Sequence, residues 1–83
     1  MVVISSAGHD RDRWFVVTGA DVRYVYIADG KERKLAKPKR KNQKHIRKTG
    51  LAVDITVMTD KALRRALNAL SKQSIAEESE KLV

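Results

Sequence analysis

The stretch Trp14-Phe15-Val16-Val17-Thr18, followed after Gly19–Val22 by Arg23-Tyr24-Val25-Tyr26-Ile27-Ala28-Asp29-Gly30-Lys31, decides the fold class. Five β-branched or aromatic residues in a row favour a pleated, half-buried strand. The second run alternates, with Tyr24, Tyr26 and Ala28 on one face and Val25 and Ile27 on the other. Adjacent Trp14 and Phe15 must also face opposite ways, so one belongs to a core while the other is exposed or covered by a helix. Asp29-Gly30 suits a tight hairpin of the primed type, which predicts a fourth strand through Arg33 and Leu35, ending before Pro38.

Working outward, Val2-Val3-Ile4 reads as a short first strand. Ser5–Arg13 is a polar loop around Gly8. Pro38–Lys44 offers nothing apolar to a core and reads as a solvated, extended loop. His45-Ile46 resumes as a short fifth strand. Leu51–Met58, with Val53, Ile55 and Val57 in alternation, is a strand or an extended connector. Short strands separated by turn signals describe a small all-β barrel. Thr59-Asp60 then supplies an N-cap, and Leu63, Ala66, Leu67 and Leu70 form one apolar stripe at helical spacing, fit to pack on the barrel. The stripe fades after Leu70. The expected organisation is a barrel over 1–58, an amphipathic helix over 59–73 and an acidic, flexible tail over 74–83.

The chain has 83 residues and a net charge of +8, and the location of that charge is informative. Lys31–Lys48 holds ten Lys or Arg and a single acid, Glu32, for +9, while the remaining eight basic and nine acidic residues give −1. A block of this density creates a local potential that attracts a polyanion, whereas charge serving solubility alone is spread. Ammonium and guanidinium groups neutralise phosphates and release counterions, a binding mode independent of sequence. The candidate phosphate-binding residues are Lys37, Lys39, Arg40, Lys41, Lys44, His45, Arg47 and Lys48, with Arg11 and Arg13 of the first loop in support. On this reading, charge reversal at Lys39, Arg40 and Lys41 strongly weakens binding of the nucleic acid and barely moves thermal unfolding.

Other chemistry is poorly supplied. There are no cysteines, which removes disulfides and cysteine-based zinc sites. His9 and His45 are far apart in sequence. His9 with Asp10 and Asp12 hints at acid–base work, yet no nucleophile-bearing motif accompanies them. No enzyme activity, metal or cofactor is expected. The longest apolar run, Trp14–Val17, is far short of the roughly 20 residues a membrane helix needs. Nor does Met1–Ser6 read as a signal peptide. A soluble, cytoplasmic protein without membrane or small-molecule partners is the expectation.

Ser6-Ala7-Gly8-His9-Asp10-Arg11-Asp12-Arg13-Trp14-Phe15-Val16-Val17 resembles the KOW motif, in which a Gly-containing basic loop joins two strands of an SH3-like barrel. Asp12 stands about where that motif usually carries a second glycine. Tyr24–Lys31, Lys37-Pro38-Lys39-Arg40-Lys41, Lys44-His45-Ile46 and Thr49 extend the likeness over about residues 2–58. The chain resembles the small KOW-domain proteins of Gram-positive bacteria. Those are similar to a KOW-containing ribosomal protein of the archaeal and eukaryotic large subunit. The resemblance implies a five-stranded SH3-like barrel followed by one helix. It also implies non-catalytic binding of ribosomal or other structured RNA on the ribosome, beside ribosomal protein neighbours. An alternative of another class is an interaction adaptor, its barrel and basic loop meeting an acidic protein.

Overall fold

The computed structural model describes residues 1–56 and 58–82, with side chains described through Lys72. Five antiparallel strands, β1 (Val2–Ser5), β2 (Trp14–Ala20), β3 (Tyr24–Ala28), β4 (Lys39–Asn42) and β5 (Ile46–Lys48), form one sheet ordered β4-β3-β2-β1-β5. The helix α1 (Asp60–Leu82) follows. The chain is thus mostly β with a C-terminal helix. Among the described residues no helix is long and apolar enough to cross a membrane.

Strand alternation divides the core in two. Val2, Val16 and Ala28 face α1 and pack with Leu63 and Leu67, while Trp14 and Leu35 lean against this cluster. Val3, Phe15, Val25 and Ile27 fill the opposite face. Trp14 and Phe15 therefore do face opposite ways, and Trp14 is the one on the helix side. Between Val17 and Gly19 the register with β3 shifts, leaving Thr18 as the extra residue of a bulge, a feature that bends and twists a sheet.

The sheet is open, and it is also bent. Its edges, β4 and β5, are joined only by the 3-10 turn Gln43–His45. In a flat sheet the outer two of five strands lie about 19 Å apart. Fully extended, the chain from Asn42 to Ile46 reaches at most about 14 Å, and a 3-10 turn reaches less. The two edges must curl toward each other.

One strand lies where the sequence reading puts a loop. No strand runs through Arg33 and Leu35, and β4 occupies Lys39–Asn42, inside the segment expected to be solvated. The cause lies at Asp29. Its carboxylate accepts the N–H groups of Lys31 and Arg33 at 2.9 Å each, and Gly30 N–H donates to Arg33 O, so the chain folds on itself instead of pairing at once. Gly30, at φ 80°, is buried against α1, where an added Cβ would lie 2.1 Å from Asp60 O. Leu35 leaves the sheet to join the helix-side core, and its N–H donates to Asp60 Oδ1 at 2.7 Å.

The 51–56 segment is the connector of the two alternatives, carrying Val53 and Ile55 onto the helix-side cluster. Val57, third in that alternation, lies outside the described residues. Thr59 caps α1, its Oγ1 accepting from Ala62 N–H at 3.2 Å. Leu63 and Leu67 are buried and Leu70 is half-buried, as the stripe requires. The helix extends past the expected end near residue 73, to Leu82. The flexibility expected of 74–83 concerns side chains outside the described residues.

Candidate nucleic-acid interface

The basic segment is organised around an acid in the first loop. Ser6–Arg13 folds back on itself through Asp12 N–H to Ser5 O (2.8 Å) and Arg13 N–H to Asp10 O (3.0 Å). This path needs left-handed backbone at Gly8 (φ 84°) and at Asp12 (φ 68°). Aspartate adopts that region more readily than most residues. The loop thereby turns Asp10 inward and buries it.

Asp10 meets β4. Lys41 and Lys39 pair with Val25 and Ile27 of β3, so both project to the inner face of the sheet. The Lys41 ammonium donates to Asp10 Oδ1 at 2.7 Å and to Ala7 O at 2.7 Å. Lys39 donates to Asp10 Oδ2 at 3.0 Å, and Ser5 Oγ donates to Oδ1 at 2.8 Å. Burial alone would raise the Asp10 pKa. The donors Lys41, Lys39 and Ser5, with the Lys41 charge, outweigh it and hold the carboxyl well below the usual carboxylate range. Among the described residues no buried side-chain polar atom lacks a partner.

Two of the expected phosphate contacts are thus differently employed. Lys41 is only 8% exposed and Lys39 is half-buried, and both cations are matched by one carboxylate. An all-polar run makes a strand because β4 is an edge whose lysine stems cover apolar neighbours and whose ammonium groups are satisfied. Sequence patterning counts both lysines as solvated and gives no sign that Asp10 is their counter-ion.

The other candidates stay exposed. Arg40, on the outer face of β4, stacks 4.5 Å from the Tyr24 ring centroid. Close by in the chain, Asp21 is held below the usual carboxylate range by the N–H groups of Tyr24 and Arg23. Lys44 and His45 form the 3-10 turn, and Arg47 and Lys48 lie on β5. Ser6 N–H donates to His45 O at 2.9 Å, and Arg47 pairs loosely with Asp12 at 3.6 Å. These contacts bring the His45 backbone and the Arg47 side chain against the first loop, while Lys44 lines a cleft with Val22 and Arg23. Lys48 follows Arg47 on β5 and faces the opposite way, beside Met1, Val17 and Ile46. Arg13 pairs with Glu32, both exposed, an arrangement that contributes little to stability. Lys37 sits apart, in the turn closed by its N–H on Lys34 O.

His9 is exposed, so it faces solvent while Asp10 turns inward. Among the described residues no group of three His, Asp or Glu is placed to hold a metal ion. The chain matches no protein-family model and no curated protein sequence.

Proposed function

We propose that this is a non-catalytic RNA-binding protein built on an SH3-like barrel of KOW type, gripping ribosomal or other structured RNA by phosphate and shape. The three-residue link between opposite edges of the sheet supports the barrel reading, since it obliges the sheet to curl. The observation that carries the functional reading is the run of exposed Lys44, His45, Arg47 and Lys48 along the 3-10 turn and β5, with Arg47 reaching the first loop at Asp12. Cations free of buried partners can exchange water and counterions for phosphate. Arg40 adds a planar guanidinium already stacked on a ring, a group suited to phosphate or base. Lys39 and Lys41 support this surface from behind by fixing β4 to the first loop. Crosslinking in cells, followed by sequencing of the attached RNA and co-sedimentation with large ribosomal subunits in moderate salt, tests the reading. Recovery of protein partners without RNA would reject it.

One observation favours the adaptor reading. Met1, Val17, Val25 and Ile46 line an apolar cleft of about 310 Å³ beside Lys48, a shape that fits an apolar side chain on an acidic peptide. The same crosslinking separates the two.

A further inference from the structure

A groove of about 230 Å³ runs between α1, the start of β2 and the turn after β3. Trp14 lines it while also packing on the helix-side core. Arg13 at the end of the first loop, Lys31 of the turn after β3 and Arg64 of α1 supply three exposed cations. Asn68, one helical turn beyond Arg64, adds an amide with both donor and acceptor. The acid in the groove, Asp29, has its Oδ1 occupied by two backbone N–H groups of its own turn. Glu32 holds Arg13 only through a solvent-exposed pair, which a phosphate can displace.

An indole beside three cations and an amide matches a planar ring carrying a phosphate. The groove is smaller than the roughly 300–1,000 Å³ of ordinary small-molecule sites, so it has room for one such unit. Base–aromatic stacking tolerates any sequence because every base has a π-face. We propose that this groove receives one unpaired nucleotide, its base against Trp14 and its phosphate among Arg13, Lys31 and Arg64. The inference rests on the RNA-binding reading and extends it: the helix becomes part of the binding surface, and the preferred RNA has a single-stranded nucleotide beside its folded part.

Trp14 is the only tryptophan, so its emission reports on the groove directly. The full chain is titrated with a labelled RNA hairpin bearing a short single-stranded extension, with the blunt hairpin, and with AMP, following label anisotropy and Trp14 emission. The extended hairpin should quench Trp14, and the blunt hairpin should bind with little quenching. Arg64→Ala, at an exposed helical position that favours alanine, should weaken the extended hairpin about tenfold and leave the blunt one unchanged. Binding of both hairpins with Trp14 emission unmoved, or equal losses for both in the variant, overturns the groove and leaves the RNA reading intact. Neither binding nor quenching in any arm overturns both. Quenching by AMP with no RNA bound supports the groove as a nucleotide site, assigns it a free nucleotide and rejects the RNA reading.

Discussion

Asp10 holds two lysines of an edge strand against the interior, and its own charge depends on them. Replacing it with asparagine keeps the shape and removes the charge, leaving Lys41 buried without a counter-ion. Breaking one side of a buried pair costs about 3–5 kcal/mol, so Asp10→Asn should lower the stability measured by urea unfolding by about 3 kcal/mol or more. The pH dependence has a definite sign. A carboxyl whose pKa is depressed by folding contributes stability that is fully present above its unfolded value, about 3.9. That contribution is lost as pH falls below about 4 toward the lower folded value. Urea midpoints between pH 6 and pH 2.5 should fall in the parent chain and vary less in Asp10→Asn. The same geometry revises the expectation for the triple reversal at Lys39, Arg40 and Lys41. Placing acids at 39 and 41 beside Asp10 must lower the unfolding temperature, so that variant cannot isolate RNA binding. None of this was legible in the sequence, where Asp10 reads only beside His9 and Asp12 and its lysine partners lie about thirty positions away.

Among the elements, β1 and β2 were legible as unbroken β-branched or aromatic runs, and β3 and α1 by a periodic apolar pattern against a buried face. Val25 and Ile27 on one side of β3, and Leu63 and Leu67 on one side of α1, needed no further information. β4 was not legible, since its inward positions are lysines and its start is deferred by the Asp29 turn. Asp29-Gly30 was read as a primed hairpin leading straight into a strand; instead Asp29 folds the chain onto itself and Gly30 docks against the helix. Gly30 has no space for a Cβ and a φ that side chains rarely adopt. Gly30→Ala should therefore destabilise the fold by more than about 1 kcal/mol, as a drop in the thermal midpoint would show. Thr59→Ala is the milder control at the same junction. It removes one N-cap acceptor and should cost about 1 kcal/mol.

For the molecule as a whole, the positive charge divides into a part held against Asp10, that of Lys39 and Lys41, and a part that is exposed, which composition alone cannot separate. If about five exposed cations engage phosphates together, log affinity should fall with log salt at a slope of about −4. The most direct measurement is RNA binding across a salt series by the parent chain and by Lys44→Glu/Arg47→Glu/Lys48→Glu, with thermal unfolding of both. All three residues are exposed, and none takes part in the Asp10 cluster. The account predicts an unchanged unfolding midpoint, a large loss of affinity and a slope flattened to about −1.5. Unchanged affinity and slope in a folded variant would contradict it.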